Sequence, residues 1–257
     1  ALERTVENTG CAVIFKDMGG NYLKVTDWTG VECSEDGNVH TIQWNGLLHA
    51  HADGEVCLDW LPPTLWAFDA SKNGLKGTLA TETLPRRLWR LNLSYNALNG
   101  GLTLNQLPRQ LAFLHLENNH FEGSLDLTQL PRTLEKIALG HNAHTGSIDM
   151  TLLPKKMGWV YLEHKTLSGN IHFYMLPDCL RVLMLNNNFF SGLLMIPSLP
   201  PFTEYISVAH NKFESSIVLL GHLGSYDFLE GIDLRGNSVK GVISKNGCEI
   251  RSDKVWF

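Results

Sequence analysis

The sequence contains no run of about 18 apolar residues, the length a helix needs to cross a bilayer, so no segment reads as a membrane span. It has no basic excess either: 21 Lys and Arg stand against 26 Asp and Glu, a formal net charge of −5. Nucleic-acid binders carry a basic domain or stripe, and this balance argues against that partner. Cysteine is sparse and odd in number, five in 257 residues: Cys11, Cys33, Cys57, Cys179 and Cys248. Such a set is not a disulfide scaffold, although it leaves room for one or two bridges. No CxxC and no Cys/His cluster at zinc-like spacing occurs, so no structural metal is expected. There is no GxSxG nucleophile motif and no Gly-rich phosphate loop outside the repeat described next, so neither catalytic residues nor a cofactor are expected. The opening ALERTVENTG lacks the basic start and apolar core of a signal peptide; either the chain is not secreted or its numbering begins after processing.

What is present is a repeat. It is marked by Asn73, Asn96, Asn119, Asn142, Asn188, Asn211 and Asn237, at steps of 23 residues except for a double step across 142–188 and a last step of 26. Around each Asn the text reads LxLxxNxLxGxL, as in LNLSYNALNGGL (91–102), LHLENNHFEGSL (114–125), IALGHNAHTGSI (137–148) and LMLNNNFFSGLL (183–194). Leu-Pro follows in register at 84–85, 107–108, 130–131, 153–154, 176–177 and 199–200. LxL turns alternate side chains inward, so each unit supplies a short strand with one buried face. A strand that short cannot bury its face alone, but parallel stacking of like units builds a continuous core. Each of the seven Asn lies where the strand turns away, and its amide can serve both a backbone donor and a backbone acceptor, forming a structural ladder along the stack. Gly four residues later permits a tight bend, and Leu-Pro with little room for full helices predicts extended or 3₁₀ segments on the convex side.

This is the pattern of a leucine-rich-repeat solenoid: an α/β repeat, mostly β, of about nine 23-residue units with a parallel sheet on the concave face, the ribbon being about 40 Å long at a strand spacing of about 4.8 Å. Residues 1–40 are expected to form an N-terminal cap, 41–243 the repeats, and 244–257 a C-terminal capping segment that closes the last unit with Val255, Trp256 or Phe257. A helix is expected within ERTVENTGCAVIFK. The stretch DWTGVECSEDGNVHTIQW (27–44) resembles the cap of plant-type leucine-rich-repeat proteins. In that family a Cys just before the Trp pairs with the later one; here Thr26 and Asp27 take its place, and Cys33 is left to pair with Cys57 or Cys11. The tandem wording GSLDLTQLPRTLEKI and GGLTLNQLPRQLAFL is similar to trypanosomatid arrays of the promastigote-surface-antigen type. That resemblance implies action through protein contacts, often at a cell surface, without a catalytic centre, although the Thr-rich stalk and lipid-anchor tail of the surface antigens are absent.

The positions six, four, two and one before each Asn are those the pattern leaves on the concave face. There Phe113, Trp159, Tyr161, Met184 and Tyr205 form a candidate patch, with His115, Glu117, Lys136, Glu163, His164 and His210 around it; aromatic residues are enriched in binding hot spots. The rival reading is that these aromatics pack on one another as cross-strand pairs. His141 and His164 share a column, but ladder neighbours point in parallel and do not converge on a metal. Asn92 opens an NLS glycosylation triplet, and Cys179 falls on an exposed convex turn. At 165, where the ladder expects Asn, stands Lys, and nearby His144 replaces an apolar residue. The expected function is non-enzymatic recognition of a protein ligand on the concave face, outside the cell or at its surface. The alternatives are an intracellular or organellar scaffold subunit, and a glycan or small-ligand binder stacking on Trp159 and Tyr161.

Overall fold

Each LxL pair buries two side chains of a strand only three residues long in most units, and the stack closes around them. Leu91 and Leu93, Leu114 and Leu116, Ile137 and Leu139, Val160 and Leu162, and Leu183 and Leu185 are all 0 % exposed. At about 1.5–3 kcal/mol for each such side chain, this double column is the main stabilising element. A computed structural model describes residues 2–7, 9–48, 55–214, 217–220, 228–244 and 253–257.

Among the described residues the concave sheet has nine parallel strands, from Val39–Gln43 through Ala67–Asp69, Arg90–Asn92, Phe113–His115, Lys136–Ala138, Trp159–Tyr161, Val182–Met184 and Tyr205–Ser207 to Gly231–Asp233. Their register follows the repeat: Arg90 pairs with Phe113, Phe113 with Lys136, Lys136 with Trp159 and Trp159 with Val182. Two further strands extend it. Val31–Cys33 pairs antiparallel with the first strand, and Val255–Trp256 pairs in parallel with Gly231–Asp233.

The Asn ladder ties one unit to the next. Asn96 Nδ2 donates to the carbonyls of Ala70 and Leu93 (3.0 and 2.9 Å), while its Oδ1 accepts from the amides of Asn73 and Leu75 (3.1 and 3.0 Å). Asn119, Asn142, Asn188 and Asn211 repeat the bond to the carbonyl 26 residues earlier, at 2.8–2.9 Å. The residue before each of the first six Asn, and before Lys165, turns the chain with a left-handed backbone even though it is not glycine: Lys72, Tyr95, Asn118, His141, His164, Asn187 and His210 have φ of 53–60°.

The last rung, Asn237, departs from the uniform ladder expected. Its Nδ2 donates to the carbonyls of Val208 and Leu234 (both 2.9 Å), so the donor half is kept, but the reach back is 29 residues because the last unit is three residues longer. Its Oδ1 accepts from Phe213 N–H at 3.3 Å, a longer bond than the 3.0 Å of Asn211 Oδ1 to Phe190 N–H, and spans 24 residues rather than 21. Asn237 is also only half-buried, whereas the six earlier Asn are buried, and a glycine, Gly236, makes the left-handed turn before it (φ 71°). Asn237 is therefore a ladder residue with a looser, part-exposed acceptor side.

Beyond the Asn, the structure departs from the expected simple bend. Lys76–Thr78, Ala97–Gly101, His120–Gly123, Ala143–Gly146, Thr166–Gly169, Phe189–Gly192 and Lys212–Phe213 form a second parallel sheet of seven strands. A glycine at or next to the end of five of these strands adopts φ of 82–86°, which lets the chain leave the sheet without a Cβ clash. On the convex side 3₁₀ turns occur at Leu58–Trp60, Thr81–Thr83 and Leu104–Gln106, with extended chain in the other units.

The N-terminal segment differs from the single helix expected. It is helical at Leu2–Val6, breaks, and resumes as a 3₁₀ turn at Gly10–Phe15, whose first amides are capped by Thr9 Oγ1 accepting from Cys11 N–H (3.2 Å). Phe15 stacks on Trp28 with centroids 4.3 Å apart, and both lie against Trp44, so aromatic rings cover the open end of the core. The expected bridges of Cys33 are absent, because Cys33 and Cys57 carry free thiols, as does the exposed Cys179. Cys11 Sγ instead approaches the Leu48 carbonyl at 3.6 Å. Cys248 lies outside the described residues.

Candidate functional site

Strand pairing brings the candidate patch residues into two parallel rows. Phe113, Lys136, Trp159, Val182 and Tyr205 follow one another across the sheet, and His115, Ala138, Tyr161, Met184 and Ser207 form the next row. Alternation along each strand puts both rows on the face opposite the core. Phe113, Trp159, Tyr161, Met184 and Tyr205 are half-buried rather than open to solvent.

The cover over these aromatics comes largely from cations and from rings outside the patch. Lys136 Nζ lies 5.0 Å from the Tyr161 ring centre, and the Arg181 guanidinium 5.9 Å from that of Trp159. Arg181 is also paired with Glu204 at 2.6 Å. Phe113 meets Trp89 edge-on at 5.4 Å, and Tyr205 lies 6.2 Å from Trp256. Trp159 and Tyr161 are therefore packed against cations rather than against one another.

Next to these rows, the column two before the ladder position carries Glu117, Gly140, Glu163 and Asn186. Glu163 folds across the gap at Gly140, where any side chain would collide with its carboxylate. Burial raises the Glu163 pKa above the usual carboxylate range, against the pull of His141 and Lys165. Glu117 Oε2, Glu163 Oε2 and Asn186 Oδ1 are buried without a hydrogen-bond partner among the described residues. Glu117 Oε1 lies 3.7 Å from His115 Nδ1. A shallow cavity of about 360 Å³ opens over this gap, bounded in part by Tyr95, Lys136 and His141. Burial lifts the Tyr161 hydroxyl pKa, with Glu163 adding to the effect.

His141 and His164 stack face to face at 4.2 Å, with 15° between the rings. Burial, then His141, lowers the pKa of His164. His164 also sits 3.3 Å from Asn187 Nδ2. Among the described residues no three His, Cys, Asp or Glu side chains gather as metal ligands. At the far end of the face His210 packs over Gly236, where a side chain would strike its ring.

Three residues of the face, Trp66, Trp89 and Arg181, fall outside the positions that the repeat pattern singled out. Trp66 and Trp89 stand seven residues before Asn73 and Asn96 and line the N-terminal end of the sheet. Arg181 occupies the same position four units after Trp89. The glycosylation triplet is tied down: Asn92 Nδ2 donates to Asp69 Oδ2 (2.8 Å) and its Oδ1 accepts from Ser94 N–H and Oγ–H (3.1 and 2.7 Å). No described helix is long and apolar enough to cross a membrane.

No family model and no curated protein matches the sequence. Solved structures match in fold. PEPR1 in complex with AtPEP1 aligns with 92 % of this chain at a TM-score of 0.60 and 18 % identity. The Arabidopsis receptor kinase HAESA, solved with the peptide hormone IDA and the co-receptor SERK1, aligns with 88 % at 0.54 and 18 % identity. A plant ice-binding protein aligns with 98 % at 0.54 and 19 % identity, over 95 % of its own length. The chain spans 41 % of the PEPR1 chain and 47 % of the HAESA chain. The periodic Leu and Asn columns, the stacked parallel strands and this likeness agree that the fold is a leucine-rich-repeat solenoid.

Proposed function

We propose that the protein is a non-enzymatic recognition module that holds a protein segment against the middle of its concave face, from Phe113 and His115 through Trp159 and Tyr161 to Tyr205 and His210. The observation that carries this reading is the joint presence, on adjacent strands, of aromatic anchors and unspent acceptors. Trp159 and Tyr161 offer large half-buried surfaces, and Glu117, Glu163 and Asn186 hold buried oxygens with no donor among the described residues. Leaving a buried acceptor unmade costs about 1–3 kcal/mol, so a partner that brings N–H donors to this gap recovers energy the free protein has forgone. Aromatic anchors beside polar groups are the composition of interface hot spots. One of the structures similar in fold, HAESA, was solved with a peptide hormone and a co-receptor, as its name states, which supports the same class of role here. So does the resemblance of the tandem units to trypanosomatid surface arrays, and with it we place the protein outside the cell or at its surface.

The test is a pull-down with the wild-type chain, followed by Trp159→Ala and Tyr161→Ala against whatever protein is recovered. Loss of the partner in either variant, with circular dichroism unchanged, is the expected result. Equal recovery by both variants overturns the reading.

A second reading is favoured by a different surface. Phe189, Leu193 and Met195 are exposed on and beside the second sheet, at 43, 74 and 48 %. Together with the free thiols of Cys33, Cys57 and Cys179, this supports a scaffold subunit inside the cell that packs its convex side into an assembly.

A further inference from the structure

We propose that the N-terminal end of the concave sheet is a separate binding site for a neutral oligosaccharide, with Trp66 as its stacking platform. Trp66 and Trp89 occupy the same repeat position on adjacent units, where the later units carry Ala112, Glu135, Gly158 and Arg181. Their ring centres are 6.5 Å apart and the planes are inclined at 56°, so the two indoles form an angled wall and do not cover one another's faces. The Trp66 Nε1–H is held between His40 Nδ1 (3.1 Å) and Thr41 Oγ1 (3.0 Å). That fixes the ring and satisfies its only polar atom, yet the side chain remains 48 % exposed. Trp159 and Tyr161, by contrast, each have a cation over the ring, and no cation lies over Trp66 among the described residues.

Beside this wall lies a cavity of about 430 Å³, within the range of about 300–1,000 Å³ typical of small-ligand sites. Its polar lining is Glu32, Thr41, Gln43, Asn45, Asp69 and Arg90. A sugar ring has one apolar C–H face and a rim of adjacent hydroxyls. An indole takes the first, as a large apolar surface with its polar atom turned aside. Planar carboxylate, amide and guanidinium groups take the second, because each presents two hydrogen-bonding atoms at the spacing of neighbouring hydroxyls.

The charges favour a neutral ligand. Asp69 already accepts from Ser71 N–H and Oγ–H (3.0 and 2.6 Å) and from Asn92 Nδ2 (2.8 Å), so its oxygens are satisfied within the fold although its charge remains. An anion would face Glu32 and Asp69, while a cation would face Arg90 and find the Asp69 oxygens already taken. A peptide would find no open strand edge over the floor of the cavity, because Val39–Gln43, Ala67–Asp69 and Arg90–Asn92 are each paired on both sides. The site shares no residue with the patch proposed for the protein ligand, so each stands or falls alone.

The experiment is isothermal titration of the full chain with tetrasaccharides of β-1,4-glucose, β-1,4-N-acetylglucosamine, α-1,4-glucose and α-1,2-mannose. At least one is expected to bind 1:1 with Kd of about 1 mM or tighter. Trp66→Ala should weaken that binding about tenfold or more, and Trp66→Phe, which keeps an aromatic face, by much less. Trp159→Ala should leave it unchanged, which separates this site from the protein patch. Should Trp66→Ala fail to fold, the exposed Glu32→Ala and Arg90→Ala decide, since each must lower affinity. The proposal is overturned by absence of binding to all four sugars at about 5 mM, or by affinity unchanged in Trp66→Ala, or in either of the Glu32 and Arg90 variants.

Discussion

Lys165 Nζ donates to the Leu139 carbonyl, the acceptor 26 residues back that Asn188 reaches at Leu162 and Asn211 at Leu185. The lysine thus fills the donor half of the ladder position. It cannot fill the other half, because an ammonium has no acceptor for the backbone N–H 21 residues back. Phe121 N–H and Leu167 N–H have that acceptor, in Asn142 Oδ1 and Asn188 Oδ1 (3.0 and 3.2 Å). The residue deprived of it is His144. The histidine is itself fully buried, in the column of Leu98, Phe121, Leu167 and Phe190, where its ring approaches the backbone of Gly123 and Glu122 but neither nitrogen reaches hydrogen-bond geometry with a described residue. The two departures from the repeat are therefore one local defect.

Replacing Lys165 by Asn should repair the ladder. The variant regains an acceptor for the His144 amide and removes a buried cation, and we expect a gain of about 1–3 kcal/mol. Urea denaturation of Lys165→Asn against wild type at pH 7 checks it; a midpoint at or below wild type would sink the idea.

The defect also makes stability depend on pH. Burial, reinforced by Lys165, lowers the His144 pKa to about 4, against 6.5 when unfolded. Between these values the unfolded chain takes up a proton that the folded chain refuses, so stability falls on acidification and the loss is complete below about 4. Burial likewise lowers Lys165 to about 7 from 10.5, although Glu163 opposes the shift. Its contribution to stability is fully present above about 10.5 and is lost as pH falls toward 7. Both groups thus raise stability with pH. His144→Phe, which matches Phe121 and Phe190, should remove most of the acid-side slope in melting temperatures measured from pH 4 to 7.

The left-handed turn before each Asn carries a cost that a bulkier side chain increases. Lys72 has φ of 60° and is exposed. A β-branched residue there is a steric outlier, so Lys72→Val should lose about 1–2 kcal/mol although no contact is removed. Lys72→Asn should be close to neutral, since Asn118 and Asn187 hold the same conformation. Thermal melts of the pair distinguish backbone strain from loss of the lysine itself, which would affect both alike.

For the patch proposed to hold a protein ligand, Trp159→Ala and Tyr161→Ala should each weaken the partner by more than about 1 kcal/mol. Arg181→Ala should also weaken it by releasing Trp159 from the guanidinium that holds the ring in place, while changing stability little. Its bond to Glu204 is part-exposed, and such pairs contribute less than about 1 kcal/mol. Titration calorimetry of the three variants against the recovered partner, beside their urea midpoints, reads both effects; binding losses that merely track stability would remove the patch from consideration.

The spine of the fold was legible because one offset governs everything: a residue's phase within 23 positions decides whether it faces the core, the ladder or solvent. Leu91, Asn96 and Tyr161 could each be placed by counting alone. Counting also put Asn237 on the ladder, but the three extra residues before it hid how much its acceptor side loosens. The second sheet was not legible, since strands such as Ala143–Gly146 carry no alternation that separates them from a turn; their pairing follows from the neighbouring units. The candidate site was partly legible. The rows through Trp159 and Tyr161 fell where expected, but their cover came from Arg181 and Lys136, whose reach depends on rotamer rather than phase. Trp66 and Trp89 precede their strands by one residue, outside the four columns that counting assigned to the concave face, yet both line the cavity. The nearness of His144 to Lys165 was within reach of counting, because the ladder offset of 21 residues already links those positions.

That constancy of offset has a consequence for how the gene can change. From Ala67 to Tyr205 every concave strand meets its neighbour 23 residues on, so excising 23 consecutive residues in that span returns equivalent side chains to equivalent neighbours one strand spacing closer. Deleting 143–165 joins Asn142 to Thr166. It takes out His144, Lys165, Trp159 and Tyr161 in one cut and leaves a shorter solenoid with an unbroken Asn ladder. Ancestral shortening or lengthening by whole units would be silent in the architecture and visible only in what the concave face can hold.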